Sequence, residues 1–455
     1  RPSSNIGTTL LDGDQYRDFV MGTDGHGSSG RGEIFIVESN TESIIPKVTI
    51  SGSSDHFRMM SSPVAGTVYD DILGDLWIQG MTNGDTESGT ANVWTYDGSS
   101  WNALSNLNTA SQTAGAGFLV YVYTDTDNDG DDDLPVTPIL SGTANTSDVD
   151  VTTTYDANTT GGVTSSGWNL LGNPYASTID ADASGSLFDD NTTNFNEVVY
   201  VWDSQASTPA YISWNGSSGS LTNGLIAPYQ GFWVQGKSSS ATTYTFDYSD
   251  CISSSGGTFY KTMSDSTGSM SFSISSGNYT DQAFVSFMNN GEEGIDGSDA
   301  YKLLPMTPSE RVVGISYAEG NGLDISNLPY SQEGSIAIPL DVMYLTVDDD
   351  YNFVTIENDV TMSWDLSSLP ETIIGLTLTD NTTNATTDLL QSEELTFTTI
   401  AKGSFPAYGS NGVNIYPQVG ESQFTLSVAY SALTTNDDMM PKEFALHPAY
   451  PNPFN

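Results

Sequence analysis

The chain has 455 residues, 37% of them hydrophobic and 11% aromatic, which is enough for several domains with cores and is not a disordered composition. Eleven Lys and Arg oppose 57 Asp and Glu, a formal charge of −46, and such a field repels phosphate backbones and anionic lipid surfaces, so nucleic acid is not an expected partner. Two readings of the acidity stand: many carboxylates hold divalent cations, or the surface is adapted to salty water, where charge keeps a protein soluble.

No uninterrupted apolar run is long enough to span a bilayer; the longest candidates, such as residues 117–123, are strand-sized, so no membrane-spanning segment is expected. Cys251 stands alone, which rules out an intramolecular disulfide and suits a small buried apolar side chain. The opening at Arg1, without a leader-like stretch, points to a processed chain or a piece of a longer precursor.

Residues 1–52 form an N-terminal β segment with glycine-rich turns at 22–32 and one clear strand at 33–37. His26 sits in Asp24-Gly-His-Gly27, a turn before it is a site. Beyond it, short runs alternate apolar and polar residues and are parted by Gly, Asn, Asp, Ser and Thr clusters: 118–123, 198–202, 244–248, 335–340 and 424–428. Period two, β-branched and aromatic enrichment and frequent turns predict an all-β fold of tandem antiparallel β-sandwich or barrel modules, with almost no helix.

Two of those modules are copies. Phe57-Arg-Met-Met-Ser-Ser-Pro63 matches Trp168-Asn-Leu-Leu-Gly-Asn-Pro174, Val93-Trp-Thr-Tyr-Asp97 matches Val199-Tyr-Val-Trp-Asp203, Ser100-Trp-Asn102 matches Ser213-Trp-Asn215, and Gly117-Phe-Leu-Val120 matches Gly231-Phe-Trp-Val234. Four blocks in one order predict module repeats at 53–145 and 146–250. Their aromatics suit core packing, with a ligand platform as the rival; Trp77, Trp101 and Trp214, beside Gly, Ser and Asn, are the ones expected to be partly exposed.

The first module carries the best site candidate, Asp125-Thr-Asp-Asn-Asp-Gly-Asp-Asp-Asp133. Asp125, Asp127 and Asp129 alternate as in the first half of a calcium loop, Gly130 allows a sharp turn, Asp131 offers a carbonyl, and Asp133 a carboxylate or a bound water. The twelfth position is Val136, so the bidentate Glu of a helix–loop–helix hand is missing. The expectation is structural calcium on a β-loop; the rival is a solvated acidic hairpin tip. Asp70-Asp71, Asp189-Asp190 and Asp348-Asp349-Asp350 lack the alternation and read as turns or solvated edges, and Asp296 and Asp299 as an Asx-turn.

Catalytic signals are sparse. The histidines are His26, His56 and His447, no Gly-x-Ser-x-Gly elbow occurs, and no phosphate-cradling loop is visible. Aspartate is too abundant for a carboxylate pair to mean anything. The sequons at Asn191 and Asn381 read as turn composition. The expectation is a protein that is not an enzyme.

Residues 251–430 contain longer strands and no copy of the repeat, and predict a C-terminal β-sandwich; 431–455 are a polar linker followed by Phe444-Ala-Leu-His-Pro-Ala-Tyr-Pro-Asn-Pro-Phe-Asn455. That ending, Tyr450, Pro451, Asn452, Pro453, Phe454 and Asn455, resembles the start of the C-terminal sorting domain of type IX secretion substrates of the Bacteroidetes and related phyla. Trp168-Asn-Leu-Leu-Gly-Asn-Pro174, Gly115-Ala-Gly-Phe-Leu-Val-Tyr-Val122, Asp299-Ala-Tyr-Lys-Leu303 and Leu376-Thr-Leu-Thr-Asp380 also resemble modules of such proteins. The resemblance implies the type IX secretion machinery as a partner and an extracellular or outer-surface location. It names no ligand, because such modules accompany adhesins, enzymes and structural proteins alike. Two functions stay open: a structural or adhesive surface protein that self-assembles or joins other surface proteins, as in a layer, sheath or fibre; and the polysaccharide-binding accessory region of a secreted degradative enzyme.

Overall fold

The computed structural model describes residues 48–431 apart from 139, 141, 157–165, 183–186, 238–241, 253–266 and 409–412, together with the backbone of three short strands nearer the N-terminus. Those three, β1 (Thr8–Thr9), β2 (Asp18–Met21) and β3 (Phe35–Glu38), make a small antiparallel sheet. The rest is β-structure as the alternation predicts. The exceptions among the described residues are two five-residue helices, α1 (Tyr69–Leu73) and α2 (Leu187–Asn191), and two 3-10 turns, Thr222–Gly224 and Tyr248–Asp250.

The first repeat builds a four-stranded antiparallel sheet from β4 (His56–Met60), β5 (Val93–Tyr96), β6 (Trp101–Ala103) and β7 (Phe118–Val122), in the order β4-β7-β5-β6. After β8 (Val149–Thr153) the second repeat supplies β9 (Trp168–Gly172), β10 (Ile179–Asp180), β11 (Val199–Asp203), β12 (Ala210–Trp214), β13 (Leu225–Ile226), β14 (Gly231–Gln235) and β15 (Thr242–Phe246). Its four-stranded sheet runs β9-β14-β11-β12, the same order and the same antiparallel sense. Register agrees too: Met60 pairs with Phe118 as Leu171 pairs with Phe232, and Trp94 with Leu119 as Tyr200 with Trp233. One matched block is corrected. Trp101 pairs with Tyr96, and the residue holding that place opposite Trp202 is Tyr211; Trp214 lies further along, opposite Val199. The second hairpin has the longer loop, which shifts the register that the shared Ser-Trp-Asn string suggests.

Strand alternation divides each repeat sheet into two buried faces. In the first, Met60, Val93, Phe118 and Val120 point into a core with Ile72 and Leu73 of α1; in the second, Leu171, Val199, Phe232 and Val234 point into one with Leu187 and Phe188 of α2. The opposite faces, Met59 and Leu119 of one repeat and Trp168, Leu170, Tyr200, Trp202 and Trp233 of the other, meet in a shared core. Burial on both faces corrects the period-two reading of 118–123 and 198–202, whose strands are nearly unbroken apolar runs.

The repeats touch reciprocally. Met60 bridges to Gln230 and Ala116 to Leu171; the Ser61 N–H donates to the Tyr229 carbonyl (2.9 Å) and the Gly172 N–H to the Gly115 carbonyl (3.0 Å). Under the repeat correspondence each contact is the other's image, the signature of a two-fold contact between like units. Asn145 sits between the images, its Nδ2 donating to the carbonyls of both Pro63 (3.3 Å) and Pro174 (2.8 Å). Gly115 and Tyr229 occupy equivalent positions, and both have left-handed backbone, φ 79° and 64°.

The C-terminal part is one 13-stranded sheet folded over itself. Its strands are β16 (Thr267–Ser276), β17 (Tyr279–Met288), β18 (Ala300–Tyr301), β19 (Arg311–Ala318), β20 (Asn321–Pro329), β21 (Ser335–Val347), β22 (Asn352–Ile356), β23 (Asp359–Ser368), β24 (Ile373–Asp380), β25 (Thr386–Asp388), β26 (Glu394–Thr398), β27 (Ser404–Pro406) and β28 (Phe424–Tyr430). Pairing is antiparallel except between β17 and β20, which run parallel. Phe272, Val285, Ile338, Met362, Leu376 and Leu426 converge between its folded halves. Its Phe284, Tyr301, Leu323 and Ile325 complete the core shared with the repeats. Polar ties follow: the Tyr301 N–H donates to the Tyr200 hydroxyl (2.9 Å), and Ser213 Oγ to Asp324, a partner of the buried Lys302 (2.8 Å). Among the described residues no helix is long and apolar enough to cross a membrane.

Candidate metal centre

β7 leaves the first sheet at Val122, and the chain turns back at Thr124, whose carbonyl accepts the N–H of Asp133 (2.8 Å). The loop between them is a run of side-chain-to-backbone hydrogen bonds. Asp125 lies at its centre, Oδ1 accepting the Asp129 N–H (3.2 Å) and Oδ2 the Gly130 N–H (2.9 Å). Asp127 Oδ1 accepts the same Asp129 N–H (3.2 Å), and Asp133 Oδ2 accepts the Thr126 N–H (2.9 Å). Asn128 (φ 60°) and Gly130 (φ 107°) take left-handed backbone, a conformation open to Asn and Gly at little cost.

Those turns set which carboxylates meet. Asp125, Asp127 and Asp133 each bring one oxygen within 4.8 Å of the others. Asp129 and Asp131 do not join them: Asp129 Oδ1 accepts the Asp131 N–H (3.1 Å), and both residues face solvent. The converging positions are the first, third and ninth of the loop rather than the first, third and fifth, because the bend at Asn128–Gly130 carries Asp129 outward. Local desolvation and then the Asp129 and Asp133 carboxylates raise the Asp127 carboxyl above its ordinary value. Like charges held this close favour either a proton or a cation among them. Three carboxylate oxygens are half of the smallest calcium shell, and carbonyls and water supply the rest in known sites.

The other sequence-level candidates resolve as follows. Tyr450–Asn455, with His26 and His447, lie outside the described residues. Asp70-Asp71 and Asp189-Asp190 are not turns but the first turns of α1 and α2, where acidic side chains suit the helix dipole. Asp348 closes a turn through the N–H groups of Asp350 and Asn352, and Asp296 an Asx-turn onto Ser298. His56 Nε2 lies 2.8 Å from Ser54 Oγ, and burial followed by Arg58 pulls it below its ordinary value. Cys251 is half-buried against the second repeat's core, its thiol pushed up to about 12 by burial and then by Asp250 and Asp247. Trp77, Trp101 and Trp214 are all half-buried. Trp101 packs edge-on to Trp233 and Tyr96, while Trp214 borders a cleft of about 170 Å³.

A family of domains, the domain of unknown function DUF8693, matches residues 37–405. The chain belongs to this family. The DUF8693 match runs from β3 through both repeats and most of the C-terminal sheet, so the family unit contains the shared core apart from Val413 and the neighbouring Ile415. No curated protein and no solved structure matches the chain.

Proposed function

We propose that this DUF8693 protein is a non-enzymatic structural or adhesive component of the cell exterior, delivered by a type IX-like route, with calcium bound in the Asp125–Asp133 loop. The observation that carries the reading is the shared core: two repeats and a large sheet pack together through Trp168, Tyr200, Trp233, Tyr301 and their neighbours. A stiff β-body suits a load-bearing surface subunit better than a set of hinged catalytic and binding domains. The terminal strands of the large sheet, β25 and β26, offer edges through which copies of the chain can pair. The acidic loop and the ending at Tyr450–Asn455 support an exterior, calcium-containing milieu. The test is fractionation and surface proteolysis of native cells carrying the gene intact or truncated before Phe444. Surface or medium localisation that is lost on truncation supports the proposal; retention inside the cell by both forms overturns it.

A second reading, the carbohydrate-binding accessory region, draws on the cleft beside Trp214. The indole borders hydroxyls of Ser217, Ser218, Ser269 and Ser367 and the Asp365 carboxylate, and its Nε1–H is buried without a partner. An indole among hydroxyls and a carboxylate offers a sugar ring apolar contact and hydrogen-bond partners. Binding on a glycan array that disappears with Trp214→Ala favours this reading; an array without signal removes it.

A further inference from the structure

The second residue of the first matched block differs between the repeats, and the difference opens a site. In the second repeat it is Asn169, which ties down the chain entering the repeat. Asn169 Oδ1 accepts the Thr154 N–H (3.0 Å), and its Nδ2 donates to the carbonyls of Thr154 (2.9 Å) and Gly167 (3.0 Å). Its capacity is spent locally. In the first repeat the position holds Arg58, one of 11 basic residues in the sequence. Arg58 Nη2 makes the equivalent tie, to the Ser51 carbonyl, but Nη1 is buried and has no hydrogen-bond partner.

Arg58 lines a cleft of about 400 Å³ between the repeats, a volume in the range of small-molecule sites. The cleft wall is chiefly apolar: Met60, Ile212, Leu221, Leu225, Pro228 and Tyr229. Asp203 is the acidic neighbour that acts on Arg58, yet the two form no ion pair, and Asp203 Oδ1 accepts the N–H groups of Gln205 (2.9 Å) and Ala206 (3.1 Å). Tyr229 adds an independent mark. It holds a bulky side chain on the cleft wall in left-handed backbone, where the equivalent residue of the other half is Gly115. Strain of that kind persists where the surrounding structure imposes it, and it clusters at ligand clamps.

A guanidinium with a free buried N–H costs free energy until an acceptor arrives, and its planar fork matches a carboxylate. We propose that this cleft binds an apolar monocarboxylate, with the carboxylate on Arg58 and the hydrocarbon against Ile212, Leu221 and Tyr229. The single guanidinium matches one negative charge, and Asp203 weakens even that attraction, so a phosphate dianion finds too little positive charge here, in a chain of formal charge −46. Burial, which pulls Arg58 below its ordinary value, marks the same desolvated cation. The site is separate from the calcium loop and does not depend on an exterior location.

The experiment is calorimetric titration of the folded chain with octanoate and, in parallel, with 1-octanol, which has the same tail and no charge. Octanoate binds at least about tenfold more tightly than octanol if Arg58 contributes one charge-assisted pair. Arg58→Met keeps the stem and removes the fork, and abolishes that preference. Asp203→Asn removes the opposing carboxylate and tightens octanoate binding several-fold; it also decides the matter should Arg58→Met fail to fold. Equal affinity for octanoate and octanol, a preference that survives Arg58→Met, or octanoate binding unchanged by Asp203→Asn overturns the proposal.

Discussion

Asp250 ends a short 3-10 turn, Tyr248–Asp250, and is only 5% exposed, with Oδ2 buried and unpartnered. Burial first, then the carboxylates of Asp247, Asp190, Asp180 and Asp148, push its carboxyl up to about 7. In the unfolded chain the same group titrates near its ordinary value of 3.8. Between those two values the native state holds a proton that the unfolded state has released, so this group's contribution to stability falls as pH rises from about 4 to about 7, by up to roughly 4 kcal/mol. Asp250→Asn removes the ionisation; thermal unfolding at pH 5 and pH 8 is expected to show a smaller loss of midpoint in the variant than in the parent, with the variant more stable at pH 8. Identical pH dependence in the two would refute the assignment. None of this was legible in Tyr248-Ser-Asp-Cys251, which reads as an ordinary polar turn. The burial and the repelling charges come from segments as remote in sequence as Asp148 and Asp180. Arg58 was equally silent, because an arginine beside apolar residues in a strand looks like any solvent-facing position until its partners are known.

At the level of strands and loops, the repeat blocks beginning Phe57, Val93 and Gly117 were legible because ladder register and block order coincide. The Ser-Trp-Asn block failed because register is set by turn length, and the two hairpins differ in theirs. The acidic loop was legible as a loop, and Asp125, Asp127 and Asp133 as candidates within it, but not the departure of Asp129 and Asp131 from the converging set, which depends on the left-handed backbone at Asn128 and Gly130. Calcium bound only to the folded state stabilises it by mass action, by about 2.7 kcal/mol at a hundredfold excess over Kd. Chelator is therefore expected to lower the melting temperature and calcium to restore it. Asp127→Asn blunts that response more than Asp131→Asn does, since Asp131 stands outside the triad; equal effects would favour the solvated tip. The repeat contact gives a second test. A Cβ on Gly117 would sit 2.4 Å from the Leu171 carbonyl oxygen, and one on the equivalent Gly231 3.0 Å from the backbone of Met59 and Met60. Gly117→Ala is expected to cost about 1–3 kcal/mol by overpacking. Combined with Gly231→Ala, urea titration should find less than the summed loss, because both variants part the same contact.

For the whole chain, the sequence conveyed the fold class and the doubling but not the union of its parts. Composition and period two describe each strand's faces; they do not say that the aromatic faces of two sheets and a third unit share one core. That core predicts joint unfolding. Far-ultraviolet circular dichroism and tryptophan fluorescence are expected to report coincident thermal transitions, and Trp233→Ala, which empties a fully buried site, to lower both together by about 3–5 kcal/mol. Separated transitions would mean that the units fold independently. The reciprocal contact between the repeats has a consequence for how the molecule can change. Two identical subunits meeting on a two-fold axis accept every substitution twice, once on each side. Joined in one chain they stay together at high effective concentration whatever the protein's abundance, and each side varies alone. One half has kept a compact asparagine at the shared position while the other carries an arginine facing a cleft, a division of labour that a dimer of equal copies has no means to write.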